Sequence, residues 1–205
     1  NPLMSIGGFA LRLKKKLGGD SPHVKDVDLM IHEVGRIEKI MNGIVRSIEQ
    51  TLELRLDDFT DILDDAVGLF EEEIGALGIK VVRRYHEGPL PVEADREQMK
   101  IAFDNIIANA LQSMEKRGGT LELETAAVNG TAVAKITDSG GGINPDYIGH
   151  IFNPFFTTKE RGTGLGLPIT NSIVMRHRGV IEIDNRVGAG VSFTIKLPRA
   201  GGKRD

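Results

Sequence analysis

Apolar residues in the first fifty positions recur three and four apart. Leu3, Ile6, Ala10, Leu13 and Leu17 form one stripe, and Val27, Ile31, Val34, Ile37, Met41, Ile44 and Ile48 form another. Between them, Gly18-Gly19-Asp20-Ser21-Pro22 breaks the periodicity. The spacing predicts two antiparallel helices joined by a short loop. Such narrow stripes suit the seam of a coiled coil or four-helix bundle. A lone hairpin would leave that seam exposed, so a homodimer is expected.

From Leu52 the texture changes to alternating strands and helices. Strands are predicted at 54–58, 79–85 and 92–94, the last two around a Gly88-Pro89 turn. An amphipathic helix is predicted over 62–77, ending at Gly78. Asp95 caps a long helix reaching about Met114. Strands 121–127 and 132–138 form a hairpin through Asn129-Gly130, the residue pair that two-residue hairpin turns favour. A glycine-rich loop fills 139–166. Pro168 marks the start of a helix reaching about His177, because a missing N–H costs nothing in a first turn. Strands 180–185 and 191–197 close the unit. The division is a partial helical hairpin at 1–50, an α/β domain at 51–198 and a frayed tail at 199–205.

Composition narrows the field. The chain has 205 residues, 40% hydrophobic and 27% charged, with a net charge of −3. That balance suits a cytoplasmic protein and argues against nucleic-acid binding, which needs a basic face. No cysteine is present, which excludes disulfide scaffolds, thiol catalysis and cysteine-based zinc sites. No apolar run approaches the ~20 residues of a membrane span. The chain does not begin with Met, so it reads as a piece of a longer protein, and any membrane contact would come through upstream segments.

Three stretches carry possible chemistry. Asp138-Ser139-Gly140-Gly141-Gly142-Ile143 follows a strand, where glycine permits close backbone approach and a carboxylate can accept from an exocyclic amine. Gly162-Thr163-Gly164-Leu165-Gly166-Leu167 leads into a helix whose free N–H groups and dipole attract phosphate. Asn105 and Asn109 lie one turn apart on an otherwise apolar helix face, and amide oxygens suit Mg²⁺. Each also has a plain structural explanation: a turn, a loop-to-helix junction, and amides that satisfy nearby backbone.

In that order the three stretches resemble the nucleotide-binding domain shared by histidine kinases, gyrase, the Hsp90 chaperone and MutL (the GHKL or Bergerat-type fold). Between the glycine motifs, Ile151-Phe152-Asn153-Pro154-Phe155-Phe156-Thr157-Thr158-Lys159 resembles the histidine-kinase F box. The stretch from Gly188 to Pro198 resembles the last glycine box and final strand, and Asn1-Pro2-Leu3 the tail of the H box. The resemblance implies a two-layer α/β sandwich with an N-terminal helical hairpin. It also implies a two-component sensor histidine kinase that binds ATP and Mg²⁺ and serves a response-regulator receiver domain. The short gap between Ile143 and Gly162 is similar to that of nitrogen-regulation sensor kinases.

Residue by residue, the resemblance implies that Asn109 ligates Mg²⁺. Asp138 accepts from adenine, Gly142 lets the purine lie on the backbone, and Ser192 sits near the adenine. Gly162, Gly164 and Gly166 cradle phosphates. Gly140, Ile143, Thr158, Thr163, Leu165 and Leu167 complete the cofactor-binding set. Lys159 contacts phosphate, and Asn105 stands where an ATP-driven clamp would carry a general-base Glu. The three Phe residues are expected to latch a mobile lid. His177 is explained by the helix dipole, and Glu71-Glu72-Glu73 by a solvated face. Arg178 and Gln112 depart from the family pattern, which often has Gly and Lys there. The acceptor His of an H box would fall four residues before Asn1, outside the chain. None of the five histidines replaces it, and His32 is expected on a solvent-facing side.

Overall fold

The computed structural model describes residues 2–17, 21–35, 51–159 and 162–201. The chain divides into two compact units, Asn1–Gln50 and Thr51–Asp205.

In the first unit, α1 (Pro2–Leu17) ends on Lys14, Lys15 and Lys16, where cations meet the negative end of the helix dipole. The second helix, α2, covers 24–35. A Cβ on Gly7 would stand 3.2 Å from Val34 Cγ1, and Lys14 Nζ lies 2.6 Å from Asp28 Oδ1. One contact pairs an early α1 position with a late α2 position, and the other does the reverse, so the helices run antiparallel. Ala10 and Val27 are buried between them, while Ile6, Phe9, Leu13 and Met30 stay exposed. The predicted stripe therefore continues outward beyond the pair. His32 is exposed, as expected. Ile37, Met41, Ile44 and Ile48 lie outside the described residues.

The second unit runs β1 (Arg55–Asp58), α3 (Phe59–Gly68), α4 (Glu71–Ala76), β2 (Ile79–Arg84), β3 (Pro91–Ala94), α5 (Arg96–Met114), β4 (Gly119–Val128), β5 (Thr131–Asp138), α6 (Pro145–Ile148), α7 (Gly166–Arg176), β6 (Val180–Arg186) and β7 (Gly190–Pro198). The main sheet has the order β2-β4-β5-β7-β6. β2 runs parallel to β4, and the other neighbours are antiparallel. Alternation along each strand sends Leu121, Leu123, Ala134, Ile136, Phe193 and Ile195 into one core with Phe59, Phe103, Ile106 and Ile173 from the helices. The opposite face carries ion pairs such as Lys196–Glu182 and Lys135–Glu124. Helices on one face and charge on the other give the expected two-layer sandwich.

Several expectations need correction. The single helix foreseen over 62–77 is two, α3 and α4. Gly68 weakens the first, and Glu71, Glu72 and Glu73 occupy the first turn of the second, where the dipole favours them. Strands β2 and β3 flank Gly88-Pro89 as expected, and they belong to different sheets. β3 pairs with β1 in a separate two-stranded sheet. Arg199 and Ala200 are not frayed, because their N–H groups donate to Gly130 O (2.9 Å) and Pro91 O (2.8 Å). The β4–β5 turn is as foreseen, with Asn129 and Gly130 both at positive φ (47° and 75°).

Candidate functional site

One face of α5 faces a cavity of about 570 Å³, within the range that holds small molecules. Asn105, Asn109 and Gln112 line it from α5, Asp138 from the end of β5, Val191 and Phe193 from β7, and parts of the segment from Gly142 to Pro168 complete it. Asp95 starts α5 by accepting from Gln98 N. Its other face buries Met99, Phe103, Ile107 and Leu111 in the core. The cavity face is thus presented by a helix anchored along its whole length.

Asp138 is buried at the end of β5. Its Oδ1 accepts from Gly140 N (2.8 Å) and Ser113 Oγ (3.0 Å). Burial pushes its carboxyl above the usual range, against the pull of those donors, the Val191 N–H and the Lys159 charge. A carboxylate held in this way can receive an amine from a ligand in the cavity. Gly140 is not on the cavity wall. A Cβ there would stand 2.8 Å from Asp138 Oδ1 and collide with Ser113 Oγ, so this glycine lets the carboxylate be clasped. Gly142 does reach the wall at φ 69°, yet its Cβ would lie 2.7 Å from Arg186 O. Close packing against the β6–β7 turn alone requires glycine there.

The second glycine stretch comes to the same cavity. Gly162, Thr163, Gly164, Leu165, Gly166 and Leu167 all line it, as do Ile143 and Thr158. α7 begins at Gly166, two residues before the expected Pro168, and Leu165 gives it no side-chain cap. Pro168 therefore stands inside the first turn, where its missing N–H still breaks no intrahelical bond. A Cβ on Gly166 would lie 3.1 Å from Asn105 Oδ1, which shows how closely the helix start approaches α5. Uncapped N–H groups at such a helix start suit an anion.

Asn105 Nδ2 is buried and finds no partner in the protein. Asn109 Oδ1 accepts from Lys159 Nζ (3.0 Å), and so does Gln112 Oε1. Burial holds the Lys159 ammonium below its ordinary value, against the field of Asp138. An orphaned amide donor, two amide oxygens facing a cation, an acceptor carboxylate and a helix start together fit a nucleotide with a hard divalent cation. Among the described residues no cluster of three or more His, Cys, Asp or Glu exists to hold a metal.

Ser192 is not brought to the cavity. Alternation turns it to the other face of β7, where its hydroxyl lies 2.8 Å from Thr137 Oγ1. The hydroxyl beside Asp138 belongs to Ser113, which no motif singled out. The three Phe residues also separate. Phe152 and Phe156 pack on the core, with Phe156 edge-on to Tyr147 at 5.6 Å, whereas Phe155 is half exposed at φ 69°. Asn185 was missed as well. Its amide makes a reciprocal pair with Ile143, accepting from N (2.8 Å) and donating to O (2.7 Å), and so pins the first glycine loop to β6.

His177 needs another explanation than the dipole. Its ring is buried, Nδ1 lies 2.8 Å from Ile173 O, and Nε2 accepts from Asp95 N at 2.9 Å. Only the neutral tautomer satisfies both contacts, and burial lowers its pKa accordingly. Arg178, just past the helix end, has φ 57°, the left-handed position where glycine is favoured.

The sandwich, with its cavity between α5, α7 and the glycine loops, defines a known class. Residues 94–201, just over half the chain, match the family described as histidine kinase-, DNA gyrase B-, and HSP90-like ATPase, and the chain belongs to it. Sporulation kinase D of Bacillus subtilis is 34% identical over 97% of this chain and 39% of its own length. Sensor histidine kinase ZraS of Salmonella typhimurium is 31% identical over 100% and 44%. The chain thus spans less than half of either relative. Among solved structures, the catalytic domain of the histidine kinase ThkA superposes with TM-score 0.65 at 31% identity, covering 72% of this chain and 96% of that one. ThkA in complex with the response regulator TrrA gives TM-score 0.69 at 29% identity, over 100% of this chain and 59% of that one.

Proposed function

We propose that this chain is the ATP-binding, phosphoryl-donating part of a two-component sensor histidine kinase. The observation that carries the reading is one cavity in which a buried strand-end carboxylate, a row of amides on α5 and the uncapped start of α7 all converge. Asp138 accepts the adenine amine. The α7 start and Lys159 take the phosphates, and Asn109 offers its amide oxygen to Mg²⁺. Mg²⁺ supplies charge neutralisation on the phosphates. The remaining work of phosphoryl transfer is positioning, which these residues provide. Ile143, Thr158, Thr163, Leu165 and Leu167 form the walls.

The phosphate acceptor is a histidine on the first hairpin helix of the parent protein, and a response-regulator receiver domain then takes the group. The ThkA complex with TrrA supports that partnership by likeness. The outward apolar residues of the hairpin support a homodimer. Among the described residues no helix is long and apolar enough to cross a membrane, and an ATP-consuming domain of this kind works in the cytoplasm.

A second reading, an ATP-driven clamp, meets an obstacle at Asn105. That side chain can donate to a phosphate oxygen but cannot take a proton from water, so turnover without an acceptor should be slow. Calorimetry with ATP and ADP, with and without Mg²⁺, tests the proposal. Metal-dependent binding is expected, and an absence of binding to both nucleotides overturns it.

A further inference from the structure

Lys159 reaches across the cavity to α5 and donates to two side-chain oxygens at once, Asn109 Oδ1 and Gln112 Oε1. The two amides lie three positions apart, on one face of the helix. Among the described residues no carboxylate forms an ion pair with this ammonium, and Asp138 acts on it only through its field. Two neutral amide oxygens have therefore converged on a positive charge, side by side, in the cavity that accepts nucleotide phosphates. Hard neutral oxygens of this kind suit a divalent cation that also keeps phosphate and water ligands.

Gln112 enters no sequence motif that names it a ligand, yet its oxygen makes the same contact as that of Asn109. It is exposed, so neither fold nor core requires it to turn inward. We propose that Asn109 and Gln112 form a two-oxygen cation seat. Lys159 fills the seat while it is free of metal, and leaves it for the nucleotide's phosphates when a divalent cation enters. The inference rests on the ATP reading above. It adds Gln112 as a ligand and makes Lys159 a placeholder as well as a phosphate contact. The segment bearing Lys159 would then be tied to α5 by its own charge before nucleotide binds and tied to the phosphates afterwards.

The two residues make opposite predictions. Calorimetric titration of ADP at graded free Mg²⁺ gives the Mg²⁺ concentration at half-maximal binding. Lys159→Met removes the placeholder and should lower that midpoint by roughly tenfold, the scale of a hydrogen bond to a charged group. Gln112→Met removes a seat oxygen and should raise it several-fold. In the Lys159→Met background Gln112→Met should still raise it, because the oxygen serves the metal and does not merely hold the lysine. Thermal melts of all variants should coincide, since neither side chain is in the core. An unchanged midpoint for Gln112→Met in the lysine-free background overturns the seat, and so do midpoints that move in the same direction for both single variants. If wild-type protein binds no ADP at any Mg²⁺ concentration, the nucleotide reading itself fails, a result distinct from either of these.

Discussion

Helix α5 meets its surroundings differently at its start and at its middle. At the start, Asp95 accepts from Gln98 N and Glu53 N, its own N–H donates to His177, and Gln98 Oε1 accepts from Arg176. The polar groups there answer one another. Two turns on, on the cavity side, Asn105 Nδ2 is buried without a partner, and Asn109 and Gln112 share one borrowed ammonium. An unanswered buried polar group costs about 1–3 kcal/mol. A helix that satisfies its end and leaves its middle open is spending stability on binding, so stability and ligand affinity should respond separately to changes at the two places.

The largest effect should come from the open side. Asp138→Asn replaces the acceptor carboxylate and should weaken adenine nucleotides by roughly 10–100-fold. The loss for guanine nucleotides should be smaller. Equal losses for both in a competition assay would remove Asp138 from base recognition. Asn105→Ala should likewise weaken ATP binding while leaving the melting temperature unchanged or raised, because it deletes an unsatisfied donor. A clear fall in melting temperature would mean that Asn105 is structural.

On the closed side the pattern should invert. His177→Ala leaves Asp95 N without an acceptor and should cost about 1–3 kcal/mol of stability in denaturant titration. ADP affinity of the folded protein should stay near wild type.

The same ring sets a pH dependence. The folded-state pKa lies below the unfolded value of about 6.5, so the unfolded chain binds the extra proton first. The contribution is complete above about 6.5 and is lost as pH falls through the folded pKa. His177→Gln, which can still accept and donate, should flatten that acid limb in a comparison of melts between about pH 7.5 and 5. An identical slope in both proteins would assign the limb to other groups.

The smallest effect belongs to Arg178. Glycine there relieves the left-handed backbone and should stabilise by about 1 kcal/mol. A lower melting temperature for Arg178→Gly would show that the side chain contributes more than the backbone strain costs.

What could be read from the sequence was local. The Asn129-Gly130 turn, the Asp95 cap and the positions of β4, β5 and β7 depend on neighbours a few positions apart, and the structure has them as read. The partners of β2 and β3 depend on residues far away in the chain, such as Ile79 with Gly119, which no local pattern around Gly88-Pro89 encodes. The motifs marked where a ligand could lie, yet not which atoms serve it. Ser192 and Ser113 are both small hydroxyls near Asp138 in the fold, and strand alternation turns the first away while the packing of α5 on the sheet brings the second in. His177, Asn185 and Gln112 carry no motif, because their work is with backbone or lysine atoms brought up by tertiary folding.

The strand order has a consequence for synthesis on the ribosome. Of the strands in this sheet, β7 is made after the others, yet it lies between β5 and β6. Until it emerges, β6 has no neighbour in the sheet, and the edge of β5 ending at Asp138 is unpaired. β7 also brings Val191 and Phe193, one wall of the cavity. A nascent chain that stops short of Gly190 therefore has both glycine loops and all of α5, but no closed pocket. Nucleotide can select only molecules in which β7 is in place, and until then the unpaired β5 edge is open to mispairing.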